Sequence, residues 1–191
     1  MFGCIICDSF SFRHICQSCL QGALAPSFFK RDIDGFTVFS FYKYSEIAPL
    51  MRHKHKISGS FILSQLAKNS FKRFAESFEF NDKISVIAID DNTKNGYSHT
   101  AIFANAVKSK VFKPEWKALR AKNSVIYAGQ SLEFRKNNPR NFEFTGARYE
   151  SLVLVDDIVT TGSTLLEAKK KVESDGCYEA LFAITLADAR E

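Results

Sequence analysis

The sequence predicts an α/β protein in which a parallel-rich sheet with flanking helices carries a small cysteine-bearing appendage at its N-terminus. Three observations predict it. Residues 84–89 and 152–155 are continuous apolar runs, as expected of strands buried on both faces. Each is followed by a helix-like segment, so strand and helix alternate in the order that builds crossover connections. Four cysteines crowd into the first nineteen residues, in a stretch too short to form a core and therefore in need of a staple.

The 191 residues suit one domain with an appendage and fall short of the roughly 250 of a (β/α)₈ barrel. A chain 46% hydrophobic and 25% charged has the ordinary globular mix, which excludes intrinsic disorder. Its 19 phenylalanines predict a largely aromatic core. No apolar run approaches the ~18 residues that span a bilayer, so membrane insertion is not expected. Cysteines at positions 4 and 7, with no basic patch leading into an apolar stretch, are foreign to a secretory signal; the expected location is the cytoplasm. Five cysteines, an odd number, also speak against a disulfide framework. Charge is uneven: residues 1–150 hold 22 Lys/Arg against 13 Asp/Glu, and residues 151–191 hold 4 against 8. A basic body of this kind attracts polyanions.

Along the chain, residues 1 to about 35 are Cys- and Ser-rich and form the metal module; residues 36–191 form the α/β body. Aromatic and β-branched residues at 36–44 predict a strand, and 45–55 a short helix. Phe61, Leu63, Leu66, Phe71, Phe74 and Phe78 recur at helical spacing and predict one amphipathic helix over 59–78. The 84–89 strand is followed by a helix near 98–107. Weak periodicity over 108–145 predicts loops with short helices. The 152–155 strand leads to a helix over 163–174 and a last strand over 178–186. Cys177, alone at a strand edge, is expected to be a small buried hydrophobe.

Cys4-x-x-Cys7 and Cys16-x-x-Cys19 form two knuckles that aim four thiolates at one ion, the donor set that tetrahedral zinc prefers. A redox C-x-x-C sits beside a βαβ unit as one motif, and paired disulfides conflict with the expected compartment. With four protein ligands the zinc has no open position, which makes it structural, with His14 beside the site or at the surface.

The segment Leu152-Val153-Leu154-Val155-Asp156-Asp157-Ile158-Val159-Thr160-Thr161-Gly162-Ser163-Thr164 carries the most chemistry. A strand ends in two carboxylates, and the chain then turns through hydroxyl residues into a helix. Backbone N–H groups at a helix start, reinforced by hydroxyls, enclose a phosphate, and Gly162 permits close backbone approach. Carboxylates at the carboxyl end of a sheet strand accept ribose hydroxyls or hold a magnesium-bound ligand. Taken separately, the pieces read as a surface turn and a helix cap. Joined in this order they resemble the phosphoribosyl-diphosphate (PRPP) motif of type I phosphoribosyltransferases. That resemblance implies that Asp156 and Asp157 bind the 2′- and 3′-hydroxyls, and that Thr160, Thr161, Gly162, Ser163 and Thr164 bind the 5′-phosphate. Purine-type members often carry an acid where Thr160 stands.

The two zinc knuckles, the aromatic strand with Tyr42 and Tyr44, the Arg52-His53-Lys54-His55-Lys56 helix end, Gln130, Leu132, Arg135, Asn138 and the final β-α-β unit are similar to the ComF family of competence proteins. The resemblance covers nearly the whole chain and implies a role in natural transformation, handling incoming single-stranded DNA, with DNA-uptake or recombination proteins as partners. The chain departs from the family after the 84–89 strand, where Asp90-Asp91-Asn92-Thr93-Lys94-Asn95-Gly96-Tyr97-Ser98-His99 replaces a Pro-rich turn. Two carboxylates facing a pyrophosphate would repel it without magnesium between them. Either Asp90 and Asp91 point away or the diphosphate half of the site is weakened; Lys94 is the nearest compensating charge, and His99 is expected on a helix face.

Lys108, Lys110, Lys113, Lys117, Arg120 and Lys122, with Phe112 and Trp116 among them, combine charge and aromatic faces as single-strand binders do. The same residues are also compatible with a solvated segment whose aromatics pack inward. The favoured function is a competence factor that binds single-stranded DNA and PRPP or a nucleotide; the alternatives are a working phosphoribosyltransferase with magnesium and a zinc-stabilised scaffold for DNA-processing partners.

Overall fold

Strand β7 (Ser151–Val159) lies at the centre of the molecule, because its apolar residues alternate between two cores. Val153 and Val155 enter one core, Leu152 and Leu154 the other. The computed structural model describes residues 3–54, 56–90, 96–123, 134 and 137–190. Among them, β1 (Phe29–Ile33), β2 (Phe36–Lys43), β8 (Glu179–Asp188), β7, β3 (Ile84–Ala88) and β4 (Phe112–Glu115) form a six-stranded sheet in the order β1-β2-β8-β7-β3-β4. Only the β1–β2 pair is antiparallel. A separate hairpin pairs β5 (Leu119–Ala121) with β6 (Phe142–Phe144).

A short helix, α1 (Gln17–Gln21), lies in the cysteine-rich segment, and the other helices cover both faces of the sheet. On one side α2 (Tyr44–Met51), α3 (Ile57–Asn69), α4 (Phe71–Ser77) and α5 (His99–Val107) share a core with Val86, Ala88, Ile184 and Leu186 of the sheet. Phe39, Phe74, Phe78, Phe112 and Phe182 meet there in ring contacts, the aromatic core the composition called for. On the other side α6 (Ser163–Val172) and the β5–β6 hairpin cover Ile87, Leu154 and Ala183. The protein is thus α/β with a mostly parallel sheet.

Several elements differ from the sequence reading. The helix expected over 59–78 is two helices broken at Ser70, whose buried hydroxyl donates to the Leu66 carbonyl at 2.8 Å and competes with helix continuation. Phe61, counted on the apolar face, is 56% exposed and stacks on His14. Among the described residues, the stretch 108–145 contains three short strands that the sequence did not announce, while Phe134 and Asn137 are helical, in keeping with the short helices expected there. The strands escape periodicity because none exceeds four residues, and β4 carries Pro114, which an edge strand tolerates. Strand β7 runs on to Val159, since β8 pairs with it as far as Asp188. Strand β1 lies within the cysteine-rich first 35 residues, joined to β2 by Asp34-Gly35, both at positive φ, the turn chemistry of a two-residue hairpin. Cys177 is exposed in the turn before β8, not buried. Gln130, Leu132, Arg135 and His55 lie outside the described residues.

The connectivity creates a crevice. From β3 the chain passes through α5 to β4 on one side, whereas from β7 it passes through α6 to β8 on the other, and the two helices pack on opposite faces. The connections diverge beyond the carboxyl ends of β3 and β7, which is where open α/β sheets place ligands.

Candidate functional site

Asp156 and Asp157 are the sixth and seventh of the nine residues of β7, at that crevice. As consecutive strand residues they lean to opposite faces. Asp157, buried, meets Lys54 Nζ at 2.8 Å and His99 Nε2 at 3.7 Å, both from the α2–α5 side. Asp156 is half-buried, and one of its oxygens accepts the Asp157 N–H at 2.8 Å. Burial alone would raise the Asp157 carboxyl, but Lys54 and then His99 hold it below the usual carboxylate range. Asp156 goes the other way: burial, then the neighbouring Asp157 charge, push it well above that range. Lys54 stays firmly protonated, its desolvation outweighed by Asp157.

These opposed shifts have a consequence for stability. Asp156 ionises near ~3.9 in the unfolded chain but at higher pH in the folded one, so its protonation favours the fold. Stability therefore declines as pH rises from ~3.9 through the folded value, and the cost is complete above it. Asp156→Asn is expected to raise the melting temperature at neutral pH by about 2–4 °C, the response of a chain this size to ~1 kcal/mol. Thermal melts between pH 3.5 and 8 check this, and the variant should lose part of the stability gain that mild acid gives the parent.

The hydroxyl-rich loop follows directly. Thr160 and Thr161 are exposed, Gly162 is buried at φ +83°, and α6 begins at Ser163. No side chain caps the helix at Gly162, and no acid occupies its first turn, while Lys169, Lys170 and Lys171 occupy its last. The Ser163 N–H donates to Thr161 Oγ1 at 3.4 Å, and the positive end of the helix dipole faces the loop. Thr161 Oγ1 and Ser163 Oγ lie 2.8 Å apart, two hydroxyls on one side of the turn; Thr164 is half-buried in the first turn.

Strand β1 braces this loop, which sequence reading missed. Arg31 donates to the Thr160 carbonyl at 2.6 Å and pairs with Asp188 at 3.3 Å. A Cβ on Gly162 would stand 2.5 Å from Ile33 Cδ1, so a larger residue there would collide with β1 as well as obstruct an anion. The Asp34-Gly35 hairpin signal placed β1 in principle, but nothing local revealed that it reaches the loop.

At the end of β3, Asp90 accepts the Ala121 N–H at 3.2 Å and pairs with Arg140 at 3.3 Å. Its charge is therefore engaged with the β5–β6 side. Asp91 and Lys94 lie outside the described residues. His99 lies on a helix as expected, as the first residue of α5, and from there its Nε2 stands 3.7 Å from Asp157.

At the N-terminus the four sulfurs of Cys4, Cys7, Cys16 and Cys19 lie within 4.8 Å of one another, positioned to bind a metal ion. Cys7 and Cys16 Sγ are 3.8 Å apart, matching the edge of about 3.8 Å that a tetrahedron with ~2.3 Å metal–sulfur bonds requires. The N–H groups of Cys16 and Cys19 point at Cys4 Sγ and Cys16 Sγ. Burial opposes ionisation of Cys4, yet the N–H groups of Cys16, Ile6 and Cys7 bring its thiol down to about 6. Cys19 is pushed up by the Cys7 and Cys16 sulfurs, since four thiolates repel one another until a cation joins them. The cluster is bolted to the body: Gln65 makes two hydrogen bonds to the Ile15 backbone, and Asn69 donates to the Leu20 and Leu24 carbonyls.

Of the basic stretch, Lys108, Lys110, Lys117, Arg120 and Lys122 are exposed and Lys113 is half-buried, its Nζ 3.1 Å from the Ser109 carbonyl. Lys122 pairs with Glu143 at 3.6 Å. The two aromatics part company: Phe112 is fully buried against Phe78, while Trp116 is 55% exposed. Phe112 is thus no stacking platform, being consumed by the core. Among the described residues no helix is long and apolar enough to cross a membrane. No protein-family model matches the chain, and no curated protein matches it.

Proposed function

We propose that the crevice beyond β3 and β7 binds the ribose 5-phosphate unit of PRPP or of a nucleotide, and that the protein serves as a competence factor of the ComF type. The observation that carries the ligand is the uncapped start of α6 at a left-handed glycine, lined by Thr160, Thr161, Ser163 and Thr164 and preceded by two carboxylates at the topological switch. The 5′-phosphate accepts from the first-turn N–H groups and the hydroxyls. Asp157, ionised, accepts from a ribose hydroxyl. Magnesium, when bound with the diphosphate, supplies the charge that lets two acids and a polyanion share one crevice. The four sulfurs hold a structural zinc, whose full ligand set leaves no site for chemistry. Calorimetric titration with PRPP and magnesium tests this reading.

A second reading, single-stranded DNA binding, rests on the exposed Trp116 amid Lys113, Lys117 and Arg120. Affinity is expected to fall steeply with salt, with a slope of about −0.7 per phosphate contact. Changing Lys110, Lys113 and Lys117 together to Glu should weaken binding at least ~tenfold at low salt and flatten that slope. Fluorescence anisotropy with a labelled oligonucleotide reads both; an unchanged affinity in the triple variant removes this surface.

A further inference from the structure

A groove of about 490 Å³ opens beside α4 and shares no residue with the crevice. Its walls are the Pro26-Ser27-Phe28 strap that leads into β1, Phe41 of β2, and one face of α4 with Phe78 beyond it. Ser70, Arg73, Phe74 and Ser77 supply that face, at the i, i+3, i+4 and i+7 spacing that one side of a helix presents. The residue that breaks α3 from α4, Ser70, is thus also a wall of the groove. Both walls are fixed before anything binds. The Leu24 carbonyl, just ahead of the strap, accepts from Asn69 Nδ2 at 3.1 Å and from the Tyr42 hydroxyl at 3.2 Å, and the Ser27 N–H donates to the Phe41 carbonyl at 2.9 Å. Phe28 stacks on Phe39 and Phe74, with ring centroids 5.1 and 6.0 Å away. A preformed groove loses little entropy when it is filled.

Its surface joins the two residue types that interfaces select, aromatic rings and arginine. Phe28 is 58% exposed and Phe80 41%, and between them Phe74 and Phe78 continue the ring contacts, so an aromatic row runs along the groove and past the end of α4. Arg73 is exposed and pairs with no acid among the described residues, whereas Lys72 beside it is held by Glu76 at 3.7 Å. One unpaired guanidinium suits one carboxylate. Glu76 and Glu79, on the same stretch, oppose a polyanion, which argues against a nucleic-acid strand here. Small ligands bind where most of their surface is enclosed, and this groove is open where Phe28, Arg73 and Ser77 face solvent, so the ring that fills it is better carried on a protein chain. We propose that the groove docks a peptide segment of a partner protein in which an aromatic side chain stands beside a single carboxylate, the ring lying against Phe28 and Phe74 and the carboxylate on Arg73. The proposal does not depend on the ligand of the crevice.

Nuclear magnetic resonance of the isotope-labelled full chain tests it with three probes: acetyl-Trp-Glu-amide, acetyl-Trp-Gln-amide, which keeps the shape without the charge, and acetyl-Ala-Glu-amide, which lacks the ring. At millimolar concentration the first should shift the signals of residues 26–28 and 70–78, and the third should leave them in place. The Gln probe should bind ~threefold or more weakly at low salt, the scale of an exposed ion pair. Arg73→Gln, a change at an exposed side chain whose unaltered spectrum elsewhere reports an intact fold, should bring the two Trp probes to within about twofold of each other. No shift from acetyl-Trp-Glu-amide, equal affinity for the Glu and Gln probes, or a difference that survives Arg73→Gln would overturn the proposal. So would a stronger response of the same signals to a deoxythymidine oligonucleotide, which would give the groove to nucleic acid, or their movement with protein concentration alone, which would give it to a second copy of the chain.

Discussion

Asp157→Asn is expected to weaken PRPP binding by roughly ten- to a hundredfold, because a neutral amide cannot accept the charge-assisted hydrogen bonds, ~1.5–3 kcal/mol each, that a carboxylate makes to ribose. The same change reaches the fold. Asp157 is 8% exposed and shares its charge with Lys54, and breaking a buried pair is costly because the partner is left behind. Lys54 is 27% exposed and also feels Asp156, so water and the second acid absorb part of that cost. A net loss of about 1–2 kcal/mol, roughly 2–8 °C in melting temperature, is expected. The pH profile carries the signature. With its folded pKa depressed, Asp157 contributes its full stabilisation above the unfolded value of ~3.9, and that contribution disappears as pH falls through the folded value. Stability of the Asn variant should therefore fall less on acidification below pH 4 than that of the parent. Calorimetry and acid titration followed by circular dichroism measure the two effects separately.

Cys4→Ser is expected to take the metal content from one ion per chain to none and to lower the melting temperature by roughly 6–12 °C, the effect of about 3 kcal/mol on a chain of this size. The size of the effect follows from packing. Cys4, Ile15, Cys19, Leu20 and Leu24 belong to the same hydrophobic core as α2–α5, so the cysteine loop is a wall of the body. Gln65 and Asn69, both on α3, are hydrogen-bonded to that loop and lose partners when it loosens. Disturbance should thus reach α3, and hydrogen exchange at residues 57–69 should rise along with exchange at residues 3–24. Elemental analysis of chelator-free, reduced protein measures the metal. A full zinc complement in the variant, or none in the parent, contradicts the assignment.

What could be read in the sequence was what depends on near neighbours. The strands around residues 84–89 and 152–155 announce themselves because both faces are buried and nearly every residue is apolar. The cysteine knuckles and the hydroxyl turn are legible because spacing alone brings their side chains together. The contacts that complete the crevice are long-range. Lys54 is 103 residues from Asp157 and Arg31 is 129 from Thr160, and no local pattern distinguishes either from the other exposed cations of a basic chain. Phe112 and Trp116 look equivalent in sequence, yet the edge strand β4 turns one into the core and the next turn leaves the other in solvent. The long helix expected over 59–78 is broken at Ser70, where the buried hydroxyl bonds back to the Leu66 carbonyl, a contact that bends helices and that apolar periodicity does not reveal.

On the proposed reading, the turn from Thr160 to Thr164 is a phosphate site joined to a ribose site at Asp157. Isothermal titration of the unaltered chain with PRPP and magnesium, repeated in the presence of ribose 5-phosphate, tests it most directly. One ligand per chain, competition by ribose 5-phosphate through the shared 5′-phosphate, and loss of most of the affinity in Asp157→Asn are expected. Absence of binding at millimolar PRPP and magnesium, or binding indifferent to both ribose 5-phosphate and Asp157→Asn, contradicts it.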